Sequence, residues 1–210
     1  MPPADHPEPE RCLCLSSRSA TGAVGTTRHA DDSAFRSVPS GMIRVMPRHT
    51  KTATVHLLAG LNGADKSTHA RRLECSCPAV RFTLDEWMLN LYHLRYDDPQ
   101  YPELADRCKD LIWEVAQQVL STGTDVVLDW NQWSRARRRT WRDKAAAAGH
   151  RPVLHYLPVP VETAIERVEY RRREGLTGAH LLDADAVRHL ERLFETPTAD
   201  EGIEIWVIQD

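Results

Sequence analysis

The run Val55-His56-Leu57-Leu58-Ala59 breaks into Gly60-Leu61-Asn62-Gly63-Ala64-Asp65-Lys66-Ser67-Thr68 and then into a helical pattern. No other stretch constrains the chain so tightly. An apolar strand, a glycine-bearing turn and a Lys-Ser pair opening a helix make the layout of a phosphate-binding loop, whose pattern is Gly, about four free positions, then Gly-Lys-Ser/Thr. Gly60, Lys66 and Ser67 match, but Asp65 stands where the second motif glycine belongs.

In a loop of this kind the backbone N–H groups and the following helix N-terminus form an anion-binding nest. The expected nucleotide contacts are therefore Gly60, Asn62, Gly63, Ala64, Asp65, Lys66, Ser67 and Thr68. Lys66 supplies a point charge to the terminal phosphates of a nucleotide, and the Ser67 hydroxyl ligates magnesium. The plainer alternative is a strand-to-helix turn with a surface lysine. Asp65 works against the first reading in two ways. The motif glycine adopts a positive φ, in which Asp is less comfortable by about 1 kcal/mol. Its carboxylate also repels phosphate by about 3 kcal/mol at 5 Å and an effective dielectric near 20, roughly two decades in affinity if nothing compensates. On that reading Asp65→Gly tightens ATP binding; magnesium or outward rotation of the side chain reduces the effect.

The 210 residues suffice for one α/β domain with a full core plus a tail. A formal charge of −3 supplies no bulk field for non-specific nucleic-acid binding, although a local basic groove stays open. The cysteines, Cys12-x-Cys14, Cys75-x-Cys77 and Cys108, have neither a disulfide framework nor the spacing of a zinc ribbon. They read as reduced thiols, and with no apolar span or signal-peptide layout the expected location is cytoplasmic.

Residues 1–50 are rich in Pro, Ser, Thr, Gly, Arg and Asp without an apolar period, and are expected to be a disordered tail. Met42 and Met46 before the first strand allow an over-extended start of translation. Residues 51–210 then alternate strand and helix patterns. Strands are expected at 52–59, 79–83, 125–129, 153–157 and 203–208, with helices from Ser67, around Met88, after Pro102, from Ser134, from Val161 and from Asp183. Glu174-Gly175-Leu176-Thr177-Gly178 reads as a mobile loop. The alternation implies an α/β fold, a mostly parallel sheet with helices on both faces and ligands at the carboxyl ends of its strands.

Gly60, Asp85 and Asp129 fall at such ends. Asp85 is placed to face the terminal phosphate and is the candidate general base, the alternative being a helix N-cap. Asp129 closes Val126-Val127-Leu128 and is the candidate carboxylate that orients magnesium, or else a turn aspartate. The helix with Arg135, Arg137, Arg138, Arg139 and Arg142 is mostly a solvated face on which one or two arginines reach a ligand. Arg171-Arg172-Arg173 precedes the glycine-bounded loop and is the candidate source of a lid arginine over the transferring phosphoryl, the alternative being plain surface charge.

With those residues in view, the region from Thr52 to Asp210 resembles the P-loop kinases related to polynucleotide 5′-hydroxyl kinase, zeta-toxin-like and antibiotic phosphotransferase-like proteins. The likeness is carried by Gly60 to Thr68, Leu84-Asp85-Glu86-Trp87, Asp129 with Arg138 and Trp141, Arg167 with Arg171, and Phe194-Glu195-Thr196-Pro197 followed by Asp200-Glu201. It implies a three-layer P-loop NTPase fold with a lid, and a kinase using ATP and Mg2+. Lys66 and Ser67 serve nucleotide and metal, Asp85 is the base, Asp129 lies on the metal or acceptor side, and Arg171 is the lid arginine. Polynucleotide kinases carry an arginine three residues after the base. Here Met88 occupies that position, which favours a small or partly apolar acceptor hydroxyl over a nucleic-acid end. The alternatives are a nucleotide-binding protein with little turnover, and an ATPase.

Overall fold

The computed structural model describes residues 52–94, 98–175 and 182–209. The expected tail at 1–50 and Leu176 to Gly178 of the expected lid loop lie outside these residues. Five strands form one parallel sheet: β1 Thr54–Ala59, β2 Ala79–Thr83, β3 Asp125–Asn131, β4 Arg151–Tyr156 and β5 Glu204–Val207. Their spatial order is β2-β3-β1-β4-β5, so the strand that feeds the phosphate loop is the central one. Every residue of β1 after Thr54 is buried, as a strand covered on both faces requires.

The helices are α1 Lys66–Ser76, α2 Leu84–Tyr92, α3 Tyr101–Ser121, α4 Arg135–Ala147, α5 Val161–Arg173 and α6 Ala184–Leu193. Alternation along β1 divides the core. Val55, Leu57 and Ala59 pack with Met88, Ile112, Leu120 and Trp141 from α2, α3 and α4. Leu58 faces the other way and packs with Ala70 and Leu73 of α1 and with Val127. Val168 of α5 and Val187 of α6 build a third cluster with Leu61 of the loop itself.

Register accounts for the shape of the mouth. Leu57 of β1 pairs with Leu128 of β3, but Leu58 pairs with Asn131, leaving Asp129 and Trp130 as an excursion of β3. Thr83 of β2 stays level with Asp129. Such an irregularity re-aims side chains at a strand end, and this one delivers the Asp129 carboxylate beside the start of α1.

Helix ends follow local chemistry. Ser134 caps α4 by accepting from the Arg137 backbone N–H, and Asp183 caps α6 by accepting from that of Ala186. Thr83, not Asp85, is the N-cap of α2; Asp85 lies inside the first turn, where a carboxylate complements the positive helix end. Met88 is fully buried in the main core, so it cannot select an acceptor. The acceptor preference expected from Met88 is therefore not met, because three residues after Asp85 the helix has turned toward the sheet.

The chain end is locked by Arg138. Its Nε and Nη2 bond Glu201 Oε2 and Oε1 at 2.7 and 2.6 Å, and its Nη1 donates to the Glu195 carbonyl at 2.8 Å. Thr198 N–H reaches Glu201 Oε1 at 3.1 Å, closing a capping box on the 3-10 turn Ala199–Glu201. The Phe194-to-Glu201 signature is thus a clamp that sets the approach of β5. Burial alone pushes the Glu201 carboxyl up, but the Arg138 hydrogen bond and the Thr198 N–H outweigh it and hold the group below its ordinary value.

A line of histidines crosses the α1 side of the sheet. His69 Nε2 lies 2.9 Å from His155 Nδ1, His155 Nε2 lies 2.9 Å from His56 Nδ1, and His56 Nε2 faces Asp125 at 3.8 Å. Donation from the Nε2 of His69 and of His155 satisfies both inter-ring contacts with the rings neutral, and leaves the buried His56 Nε2 facing Asp125 beyond hydrogen-bond distance. Burial, helped by the neighbouring rings, pulls His155 from 6.5 down to about 3.

Two stability predictions follow from these pairs. Arg138→Ala leaves Glu201 buried and unpaired and should cost about 3–5 kcal/mol in denaturant unfolding. The unfolded chain takes a proton on His155 below about pH 6.5 that the folded chain refuses, so stability should fall as pH drops from there toward 3. His155→Gln should flatten that fall, read from unfolding midpoints across the acid range.

Candidate functional site

A cleft of about 730 Å³ opens at the carboxyl ends of β1, β2 and β3. The loop enters it from β1. Gly60 and Gly63 have φ of 154° and 94°, and a Cβ on Gly63 would lie 2.3 Å from the Ala164 carbonyl oxygen of α5. Glycine is therefore required for the loop to pass beneath α5. Asp65 takes the left-handed conformation, φ 57°, as the N-cap of α1, yet its side chain makes no capping bond.

Lys66 Nζ bridges the loop, donating to the carbonyls of Gly60 at 3.1 Å and Leu61 at 2.8 Å. Burial lowers the ammonium pKa from 10.5 to about 8, against the opposing fields of Asp129 and Asp85. Ser67 Oγ donates to Asp129 Oδ1 at 3.2 Å, and Thr83 Oγ1 donates to Asp129 Oδ2 at 3.1 Å. Arg81 Nη1 stands 3.6 Å from the same Oδ2 and 3.2 Å from Glu86 Oε1. Burial raises the Asp129 pKa despite these partners. The Ser67 hydroxyl and Asp129 carboxylate are hard oxygen donors converging at the helix start, a pair that suits magnesium.

The remaining expected residues divide. Asp85 lines the cleft together with Tyr101, whose hydroxyl pKa is raised by burial and then by the Asp85 charge. Gly63, Asn62, Asp65 and Thr68 also line it, whereas Gly60 and Ala64 are not among its lining residues. Arg171 also lines it. Of the α4 arginines, Arg137 reaches the cleft, its guanidinium 4.8 Å from the Trp133 ring centroid, while Arg138 is the buried clamp.

The Asp65 carboxylate is turned toward α5. Its Oδ2 lies 2.7 Å from Arg167 Nη1 and its Oδ1 3.9 Å from Arg171 Nη2. The repulsion expected of an uncompensated carboxylate does not apply to this arrangement, because two guanidinium groups face it.

Sequence reasoning passed over Arg81, Thr83, Asp106 and Lys109, all of which line or brace the cleft. A signal existed for two of them. Arg81 interrupts the apolar strand Ala79-Val80-Arg81-Phe82, and Lys109 sits on the buried stripe of α3 between Ala105 and Ile112, paired with Asp106 at 2.8 Å. A cation on an apolar face needs a partner.

A parallel sheet with a phosphate loop leaving its central strand, followed by Lys-Ser and a strand-end carboxylate, defines the P-loop kinase-like class. Residues 55–197 match the family model described as an AAA domain, and the chain belongs to that family. Comparison with curated protein sequences gives no significant match.

Among solved structures, a chain of the Pnkp1/Rnl/Hen1 RNA repair complex is similar at 20% identity and a TM-score of 0.57, over 68% of this chain and 44% of that one. The present chain thus spans less than half the length of that relative. Chaetomium thermophilum Kti12 in complex with ADP-AlF3 is similar at 16% identity and a TM-score of 0.55, over 73% and 88% of the two chains. A sugar kinase from Janibacter sp. HTCC2649 is similar at 14% identity and a TM-score of 0.50, over 75% and 84%. At these identities the likeness concerns the fold.

Nucleotide binding should be linked to a proton. Phosphate stabilises charged Lys66, so ATP binding near pH 8 should take up about half a proton, measured by calorimetry in buffers of different ionisation enthalpy. Affinity should weaken as pH rises above 8, and Lys66→Met should abolish both effects.

Proposed function

We propose that this domain is an ATP-dependent phosphotransferase that moves the terminal phosphoryl group to a hydroxyl of a small molecule. The observation that carries the reading is the convergence in one cleft of Lys66, the Ser67–Asp129 pair, Asp85 and Arg171. Loop N–H groups and Lys66 hold the β- and γ-phosphates. Ser67 and Asp129 would hold a bound magnesium, which would supply charge neutralisation to the phosphates. Asp85 accepts the acceptor hydroxyl's proton as that oxygen bonds to the γ-phosphorus. The bond from phosphorus to the bridging oxygen breaks, and ADP leaves with its electron pair. Arg171 offsets charge on the transferring group.

The wall beside Asp85 favours a small acceptor. Its acidic groups include Glu86 and Asp106, and the nearby cations Arg81 and Lys109 are already paired with carboxylates. That wall suits a hydroxylated molecule without a phosphate, and the cleft volume accommodates a nucleotide with a small partner. A polynucleotide 5′-hydroxyl end is the next substrate class. On the same proposal the kinase-like unit spans residues 51–210 behind a tail at 1–50 and acts in the cytoplasm.

Labelled ATP supplied with nucleosides, hydroxylated natural products and oligonucleotides identifies the acceptor by where the label goes. Asp85→Asn should lower transfer by about 10²–10⁴-fold while ATP binding stays within about threefold. Label released only as inorganic phosphate identifies an ATPase. No turnover with any acceptor or water makes the domain a nucleotide-binding protein.

A further inference from the structure

We infer that Asp65 is a positioning residue that fastens α5 to the phosphate loop through Arg167 and thereby presents Arg171 to the phosphates; the inference rests on the phosphotransferase reading. A glycine in the usual motif position can make no such contact, so the departure from the motif has a use specific to this chain.

Three observations support it. First, an aspartate at a helix N-cap ordinarily accepts a backbone N–H of the first turn. Asp65 does not, although it pays for a left-handed backbone, and both carboxylate oxygens face α5 instead. Second, the two arginines are unequally engaged. Arg167 Nη1 is 2.7 Å from the carboxylate and 3.5 Å from the Gly63 carbonyl oxygen, which ties it to the loop twice. Arg171 lies one helical turn on, on the same face. Its Nε donates to the Arg167 carbonyl at 3.3 Å. Its Nη2 stands 3.9 Å from Asp65, with no hydrogen-bond acceptor among the described residues.

Third, α5 already rides on the loop at Gly63, where the Ala164 carbonyl leaves no room for a Cβ. Asp65–Arg167 is a second fastening. The helix is thereby held at two points, and Arg171 is the arginine of the pair that lines the cleft. One carboxylate against two guanidinium groups leaves the local charge positive, so nucleotide attraction is retained.

Asp65→Asn tests this, because asparagine keeps the shape and tolerates the left-handed conformation but carries no charge. Expected is a fall in kcat of about tenfold or more with the Kd for ATP changed by less than about threefold. In an Arg171→Ala background Asp65→Asn should have no further effect on kcat. In an Arg167→Ala background its effect on the unfolding midpoint of the nucleotide-free protein should vanish. Unchanged or increased kcat in Asp65→Asn, or additive effects of Asp65→Asn and Arg167→Ala, overturns the proposal. If the wild-type protein transfers phosphate to no acceptor, the phosphotransferase reading fails. The cycle with Arg167 in the unfolding midpoint then still decides the fastening: coupled effects support it and additive effects overturn it.

Discussion

The Asp129 carboxylate is the point at which the sheet, the loop helix and the cleft become one object. It is buried, with its pKa raised, and is tolerated there because Ser67, Thr83 and Arg81 supply hydrogen bonds and charge from α1 and β2. A buried charge without such partners would be costly. The excursion of β3 at Asp129 and Trp130 brings the carboxylate to the mouth, and Lys66 feels its field from across the loop. Strand register, helix start and phosphate-site electrostatics therefore depend on one another.

The Arg138–Glu201 clamp does a different task by similar means. Nothing in it borders the phosphate site; it fastens the segment after α6 onto α4 and so sets where β5 joins the sheet. A bidentate guanidinium–carboxylate pair is specific in geometry as well as attractive, and here it adds to the apolar packing of Phe194 and Ile203 in the same segment. The basic run of α4 thus holds side chains with different fates: Arg138 is core, Arg137 lies on the cleft wall against Trp133, and Arg135 pairs on the surface with Asp200.

Much of this was legible before any coordinates. The five strands, the helix capped by Ser134 and the helix capped by Asp183 all lie within a few residues of their pattern-based bounds. Periodicity and caps are local, and local preferences survive folding when tertiary packing agrees with them. Met88 and Asp85 show the limit. A position counted from a motif residue does not say which way the helix has turned, and Met88 faces the core while Asp85 faces the cleft. Arg81 was overlooked because an isolated cation in a strand discloses a partner only when β3 is laid beside β2.

Asp65 marks the division most clearly. Sequence by itself determined that this chain builds a phosphate loop between a buried strand and a helix, that carboxylates stand at two further strand ends, and that one loop position carries the wrong residue. It also determined the sign of the electrostatic problem, since a carboxylate near phosphate repels it. Only the tertiary structure decided what the carboxylate meets. Arg167 and Arg171 lie about a hundred residues further along the chain, and α5 brings them against the loop through the contact of Ala164 with Gly63. Charge interactions depend on distance through space, and spacing along a chain is silent about that distance until the sheet and its helices have closed around it.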